Sequence, residues 1–337
     1  MKNKPKVTIL IVSLNSKRTI QKCLNYIKSQ DYPNIDEVLL VDGGSTDNTL
    51  ELAKKIGLKN LKILKAGYKD NQEARRAIGI EKAKNEYIAM IDTDNYLLSK
   101  TWISDLVEPL VKHTDVIASQ TLRYAAPKDA PLLNRYFGLL GGADPISYYL
   151  GKSDRLSFAK DTWDLRGDIV SENNKYYIIR FTPNTFPSVG ANGILFKKSM
   201  LMESHWGKPE NYFHTDVFVD IAKKYGSCKF AIVKNETYHD TAETLTTFFS
   251  KRTRYMSLHH HNLKATRRYF IFNPKNPSDV IKLGLCLLYA VTFIVPLFES
   301  IYGFIKKRDI AWFIHPYVTF MITFAYAKVT IYNVLNN

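Results

Sequence analysis

Asp92, Thr93 and Asp94 put two carboxylates one residue apart, directly after the apolar run 87–91. Where a buried strand opens into a loop, such a pair can hold a hard divalent cation and a sugar or ribose hydroxyl. Mg2+ typically takes one or two protein carboxylates and completes its shell on substrate phosphates. The same three residues also make an ordinary surface turn, so the motif needs context. A second candidate is Asp42-Gly43-Gly44-Ser45-Thr46-Asp47, which follows the apolar run 37–41. Its glycines permit close backbone approach, and its first acid can accept a hydrogen bond from a base or a ribose. It is neither a GxGxxG nor a GxxxxGK(S/T) loop, and a plain strand-to-helix turn has the same composition.

The elements that must carry these residues alternate in type. Residues 7–14 form a continuous apolar run of strand length. Ser16 can cap a helix in which Ile20, Cys23, Leu24 and Ile27 recur at helical spacing. The run 37–41 is a second strand, 46–55 a helix, 61–64 a third strand, 71–84 a helix and 87–91 a fourth strand. Alternating strands and helices predict an α/β fold with a mostly parallel sheet covered on both faces. Ligands on such sheets sit beyond the carboxyl ends of the strands. Asn15, Asp42, Asp92 and Asp94 all fall at such ends.

Residues 121–190 are less regular and rich in Tyr, Asp and Gly. Order returns with the strand 194–196, a helix carrying Val217, Ile221 and Ala222 after Asp216, and the strand 229–233. With no internal repeat or low-complexity linker, residues 1–245 read as one large domain.

The chain has 337 residues, 45% apolar and 23% charged, which excludes a disordered, collagenous or purely coiled-coil protein. Its 47 Lys and Arg against 32 Asp and Glu give +15, which calls for an anionic partner: nucleic acid, a membrane surface or a phosphorylated substrate. Three distant cysteines, Cys23, Cys228 and Cys286, form no CxxC pair or disulfide framework, as expected of a reduced, cytosolic protein. The apolar run behind the basic N-terminus is short for a signal peptide and is read as a strand.

Four ordered motifs resemble glycosyltransferase family 2. They are Val12-Ser13-Leu14-Asn15, the stretch from Val41 to Thr49, Ala74-Arg75-Arg76-Ala77-Ile78-Gly79, and the stretch from Tyr87 to Asp94. The resemblance is strong over 5–100 and reappears as shorter motifs to about 260. It implies an inverting, nucleotide-sugar-dependent enzyme of the GT-A fold. At the matching positions it implies that Asp42 binds the nucleobase, flanked by Ser13, Leu14 and Asn15. Arg75 would contact the nucleotide, Asp92 the ribose or sugar, and Asp94 the metal, Mg2+ or Mn2+. Arg76 departs from the family, which has Asn there.

Further on, Gly190-Ala191-Asn192-Gly193 resembles the family's Gly-Asn-Gly-like segment, and His214-Thr215-Asp216 stands where a helix opens with the catalytic acid. Asp216 is thereby the expected general base, with Thr215 replacing the usual Glu; as a plain helix cap it would need no chemistry. His239, which follows the strand 229–233, matches a histidine that some relatives place near the metal. Lys251, Arg254 and Tyr255 resemble the family's Gln-x-x-Arg-Trp element and, with Asn192, would serve the diphosphate or acceptor. Residues 144–155 fall in the region of the family's acceptor site. His259, His260 and His261 do not read as a zinc site, because neighbouring helical residues point in different directions.

The charge is concentrated. Between Thr244 and Ser278 stand seven Lys or Arg (251, 252, 254, 264, 267, 268 and 275) and no acid. Two charge-free apolar stretches follow, 283–298 and 310–327, each short or borderline for a membrane span of about 20 residues. Each cation near an anionic lipid surface contributes about 1 kcal/mol. The expected organisation is a catalytic domain at 1–245, a basic juxtamembrane segment at 246–278, and an apolar helical hairpin at 279–337. The hairpin is either transmembrane or, as we favour, re-entrant or interfacial. Full crossings would place Lys306, Lys307 and Arg308 outside, against the positive-inside tendency.

The expected function is transfer of one sugar from a nucleotide-sugar donor to a lipid-linked acceptor at the cytoplasmic face of a membrane, with no nucleic-acid partner. A nucleotidyltransferase of similar fold and a non-catalytic membrane-anchored scaffold or nucleic-acid-binding protein are the alternatives.

Overall fold

The apolar runs become buried strands, and the amphipathic stretches between them become the helices that cover the strands. The computed structural model describes residues 4–189, 191–241, 244–258 and 264–335. The strands are β1 (Val7–Ser13), β2 (Ile35–Asp42), β3 (Leu61–Lys65), β4 (Tyr87–Asp92), β5 (Asn95–Tyr96), β6 (Val116–Tyr124), β7 (Asp168–Glu172), β8 (Tyr176–Phe181), β9 (Ile194–Lys197) and β10 (Cys228–His239). The helices are α1 (Ile20–Lys28), α2 (Thr49–Lys55), α3 (Gln72–Lys82), α4 (Trp102–Lys112), α5 (Leu132–Leu140), α6 (Pro145–Tyr149), α7 (Lys198–Met202), α8 (His214–Tyr225), α9 (Leu245–Met256), α10 (Pro277–Thr292), α11 (Ile294–Lys306) and α12 (His315–Leu335).

The sheet order is β3-β2-β1-β4-β9-β6-β10-β8-β7, with β5 paired to β10. The expected parallel arrangement holds for β3, β2, β1 and β4. Beyond β4 the pairs β4–β9, β9–β6, β10–β8 and β8–β7 are antiparallel. The reason is the connection: β9 is reached by a long segment rather than a helical crossover, so nothing forces it parallel. Strand β1 is buried at every residue, as a central strand covered on both faces must be. Helix α3 packs closely on it at Gly79, where a Cβ would stand 2.3 Å from Leu10 Cδ1.

Three local readings change. Thr19, not Ser16, is the N-cap of α1, and Ser16 closes the preceding turn by accepting the Thr19 and Ile20 N–H groups at 3.0 Å each. Strands β7 and β8, with the last residues of β6, lie in the stretch 121–190 read as less regular. Strand β10 runs on to His239 instead of ending at 233. Polar Lys234, Asn235, Glu236 and Thr237 break its apolar run, but Thr237 is buried and accepts a hydrogen bond from Trp102 Nε1 at 2.9 Å.

Packing groups the chain into Met1–Leu122 with Gly167–His239, and Arg123–Arg166 with Asp240–Asn337. This differs from the linear division 1–245, 246–278 and 279–337, because residues 123–166 contribute α5 and α6 to the core of the C-terminal helices. In that second unit Leu133, Tyr136, Phe137 and Phe248 pack with Trp312 and Val318. Buried Asp279, in the first turn of α10, receives Lys152 Nζ at 2.6 Å and Arg166 Nη2 at 2.8 Å.

The apolar stretch 283–298 is not one helix. Phe293 adopts φ +61°, and α10 and α11 meet there at 86°. Pro296 falls in the first turn of α11, where its missing N–H costs nothing, whereas a continuous helix would need that donor. Residues Ile310–Tyr332 make one helix long and apolar enough to cross a membrane.

Candidate active site

Strand order brings the acids together. With β1 between β2 and β4, Ser13 lies opposite Asp42, and Val12 lies opposite Asp92. The loop after β2 is stitched to the end of β1. Gly43 N–H donates to the Ser13 carbonyl at 2.9 Å, Asn15 N–H to Ser45 Oγ at 2.9 Å, and Thr46 N–H to Asn15 Oδ1 at 2.9 Å. Asn15 takes φ +49° to make this corner. The buried Asp42 carboxylate accepts from Gly44 N–H at 2.8 Å, Ser45 N–H at 2.9 Å and Ser45 Oγ at 2.5 Å. It therefore builds its own loop as well as standing at the expected base pocket. Leu14 beside it is half-buried.

Arg75 lies flat against Gly43, where a Cβ would stand 2.8 Å from Nη1. This contact explains the glycine: any side chain would displace the guanidinium. Arg75 Nη1 donates to the Tyr68 and Lys69 carbonyls at 2.6 and 3.2 Å. Its Nε and the Ser13 hydroxyl are buried without a hydrogen-bond partner. Unsatisfied buried donors at one corner are what a polar ligand would complete. Burial, helped by the like charge of Arg76, lowers the Arg75 pKa.

Arg76 forms the contact that sequence reasoning missed. Its Nη2 lies 2.8 and 2.7 Å from the two Asp92 oxygens, and its Nη1 bonds Glu73. Gln72 Nε2 adds a hydrogen bond to Asp92 Oδ1 at 3.1 Å. Burial would lower the Arg76 pKa, but Asp92 and Glu73 outweigh it and raise it, so the charge is held. Burial pushes the Asp92 carboxyl up, opposed by Arg76 and reinforced by Asp94. The signal in the sequence was the cation at 76 where the family has Asn, one turn from Glu73 on the same helix.

Asp94 is the more open acid of the pair. Its Oδ1 lies 3.6 Å from His239 Nε2, with side-chain exposures of 26% and 19%. The extension of β10 makes this contact, since His239 pairs with Asn95 across the β5–β10 ladder. Among the described residues no group of three or more His, Cys, Asp or Glu is arranged to hold a metal. One carboxylate and one imidazole nevertheless suit a divalent ion that takes its remaining ligands from substrate phosphates and water.

Asp216 is completely buried in the first turn of α8. A negative charge there faces the free N–H groups of the helix start. Thr215 Oγ1 donates to the Val189 carbonyl at 3.0 Å. His214 donates from its backbone N–H to Glu73 at 3.2 Å, and its Nδ1 lies 3.1 Å from both Glu73 oxygens. Asn192 is half-buried beside the left-handed Gly193; Gly190 lies outside the described residues.

The remaining expected residues belong to the second unit. Lys251, Arg254 and Tyr255 stand on α9, and Lys251 Nζ donates to the Thr241 carbonyl at 3.2 Å. Arg252 on the same helix makes part-buried polar contacts, pairing with Asp144 and donating from Nε to Tyr326 Oη at 2.8 Å. The charged groups of 144–155 are engaged in packing: Asp144 caps α6, Lys152 pairs with Asp279, and Asp154 pairs with Arg155 at 2.7 Å. His259, His260 and His261 lie outside the described residues.

The comparisons with known proteins agree with this geometry. The family model of glycosyl transferase family 2 matches residues 8–165. Glycosyltransferase AglE of Haloferax volcanii is 40% identical over 93 residues, 27% of this chain and 31% of that protein. The UDP-Glc:alpha-D-GlcNAc-diphosphoundecaprenol beta-1,3-glucosyltransferase WfaP of Escherichia coli is 34% identical over 90 residues, 27% of this chain and 36% of that protein. The chain therefore spans about a third of the length of these curated relatives. Among solved structures, mannosyltransferase PcManGT of Pyrobaculum calidifontis, in complex with GDP-Man and Mn2+, aligns with 100% of this chain and 89% of that chain. Its TM-score is 0.54 at 16% identity, a likeness of fold. On a GT-A fold, with its acids at the carboxyl ends of adjacent parallel strands, the chain carries over residues 8–165 a sequence similar to glycosyl transferase family 2.

Proposed function

We propose that this protein is an inverting, metal-dependent glycosyltransferase that moves one sugar from a nucleotide-sugar donor to a lipid-linked acceptor at a membrane surface. The observation that carries the reading is the register of the central strands. Ser13 and Asp42 face each other at one carboxyl end, and Asp92 stands at the next strand end over. Asp42, Ser13, Leu14 and Asn15 bind the nucleobase side of the donor, and Arg75 its nucleotide phosphates or ribose. Asp92, oriented by Arg76, keeps lone pairs for a ribose or sugar hydroxyl.

Asp94 and His239 would hold the divalent cation, Mg2+ or Mn2+. When bound, such an ion supplies positive charge that stabilises a leaving diphosphate. Asp216 takes the proton of the acceptor hydroxyl. The acceptor oxygen bonds to the anomeric carbon as the bond from that carbon to the phosphate oxygen breaks, and the electron pair leaves on the nucleoside diphosphate. Asn192, Lys251, Arg254 and Tyr255 serve the diphosphate or the acceptor.

Membrane association rests on the second unit. Ile281, Val291, Phe298, Ile305 and Ile310 on its C-terminal helices are 61–67% exposed, a large apolar surface for a soluble protein. The 86° bend between α10 and α11 favours a re-entrant or interfacial pair that keeps Lys306, Lys307 and Arg308 on the cytosolic side. The acceptor class is taken from WfaP, whose name specifies a diphosphoundecaprenol-linked acceptor.

A panel of nucleotide sugars offered with lipid-extract acceptors, scored by mass gain on the lipid, tests the reading. Sugar transfer with release of a nucleoside diphosphate is expected. Release of inorganic pyrophosphate would favour a nucleotidyltransferase, and no transfer from any donor would overturn the proposal.

A further inference from the structure

One line of contacts joins the acid motif to the start of the base helix, and the roles proposed above use only its first contact, Arg76 on Asp92. It begins at Asp92, whose two oxygens are held by Arg76 Nη2 at 2.8 and 2.7 Å. The other end-nitrogen of the same guanidinium bonds Glu73, one turn back on α3. Glu73 in turn receives the backbone N–H of His214 at 3.2 Å, with the ring Nδ1 3.1 Å from both its oxygens. A carboxylate only accepts, so the proton of this imidazole is on Nδ1. Phe213 stacks on the ring at 4.3 Å. The line covers 141 residues of sequence in four side chains, and Glu73, Arg76 and His214 are each no more than 8% exposed.

The ends of this line are two groups whose separation matters to an in-line transfer. Asp92 neighbours Asp94, and His214 stands two residues before Asp216. A loop and a helix start are both places where a backbone can shift. Here each is tied to the same helix, α3, by a charge-assisted contact out of water, where such contacts are strong and directional. Residues three apart on one helix face are neighbours, and the first turn of α3, which carries Glu73, is fixed by the Asn71 cap on the Ala74 N–H, so the two tied points keep a constant spacing.

We propose that Glu73 and Arg76 are positioning residues that set the distance between the Asp92–Asp94 loop and Asp216, with His214 as the receiving end. The proposal rests on the glycosyltransferase reading for its kinetic consequence but not for its structural one. Neither residue touches a reacting atom. Their effect passes through Asp216, and a displacement of about 1 Å at such a group costs about 100-fold in rate. Of the donor-binding residues only Asp92 lies on this line; Ser13, Asp42 and Arg75 lie off it, so Glu73→Gln leaves their contacts to the donor in place.

The test uses the full chain with Glu73→Gln, Arg76→Asn and Asp216→Asn, singly and in pairs. Backbone hydrogen exchange is followed in peptides covering 213–220, and kcat and donor KM are followed with a donor found by the nucleotide-sugar panel. In E73Q and R76N, exchange over 213–220 is expected to rise at least about tenfold while peptides covering β1–β3 stay unchanged. The kcat is expected to fall by about 10- to 100-fold in both; donor KM stays within about threefold in E73Q and rises in R76N, which also releases the donor-facing Asp92, and E73Q added to D216N is expected to cost no further rate. Unchanged exchange at 213–220, or rate losses of E73Q and D216N that simply multiply, would overturn the proposal. A wild-type protein that transfers from no donor, yet shows the local change in exchange, would leave the link standing and remove the glycosyltransferase reading instead.

Discussion

Arg76 Nη2 stands within 2.8 Å of both carboxylate oxygens of Asp92, so the first acid of the Asp92-Thr93-Asp94 motif is committed to a helix sixteen residues away. The two acids of the motif therefore do different work. Asp92 is anchored and 16% exposed, while Asp94 is 26% exposed and 3.6 Å from His239. A spacing that looks symmetrical in sequence is asymmetrical in space.

Asp94→Ala should lower transfer by about 100-fold or more, since it removes the carboxylate proposed to hold charge against the leaving group. His239→Ala should raise the Mn2+ concentration needed for half-maximal rate by about 10- to 100-fold, with partial recovery at saturating metal. Rates measured against added Mn2+ after treatment with excess chelator check both; full activity in chelator would remove the metal from the mechanism.

Asp216→Asn keeps the shape of the side chain and removes its ability to take a proton. We expect kcat to fall by about 100- to 10,000-fold with donor KM little changed, because general-base catalysis contributes that much. Circular dichroism melting identifies any loss due to unfolding. A correctly folded variant with normal turnover would reduce Asp216 to a charge at a helix start.

Gly43→Ala would put a Cβ 2.8 Å from Arg75 Nη1. The guanidinium must then leave its place against the loop, although the backbone of Gly43 itself is not strained. Nucleoside diphosphate affinity, measured by calorimetry with UDP and GDP, should weaken by about tenfold, while the melting temperature moves little.

Asp279→Ala would leave the buried Lys152 and the half-buried Arg166 without their acid; breaking a buried pair typically costs about 3–5 kcal/mol. Burial pushes the Asp279 carboxyl up, but Lys152, the Asn273 N–H and Arg166 outweigh it and hold the pKa below its ordinary value of 3.8. A folded-state pKa below the unfolded one stabilises the protein fully above about pH 4, and this is lost as the pH falls through the folded value. Denaturant midpoints at pH 7 and pH 3 should therefore differ more for the wild type than for Asp279→Asn.

The C-terminal helices should bring the protein to vesicles in flotation experiments, more so with about 30% anionic lipid and less as salt rises, because the attraction of the cations is screened. In sealed vesicles carrying the protein on the outside, cleavage between Lys306 and Arg308 should occur from that same side. Cleavage there only from the lumen would show two crossings in place of a re-entrant pair.

The parallel half of the sheet and the positions of Asn15, Asp42, Asp92 and Asp94 were legible from residue order, because strands and helices write their periods locally. Each acid ended an apolar run, and a strand end is where a parallel sheet leaves room for a ligand. The partners were not legible. His239 sits in a strand whose last residues are polar, so its run reads as a loop until β5 pairs with it. Arg76 and Glu73 look like solvated helix charges until burial, which depends on what packs over α3, sets them against each other, Asp92 and His214. The basic segment shows the same limit. Seven cations and no acid can be counted from 244 to 278, but Arg252 is taken by Asp144 and Tyr326, residues more than 70 positions away in either direction. Local periodicity decides which residues can reach a site; charge pairing and burial depend on distant segments, and only the folded chain brings those into contact.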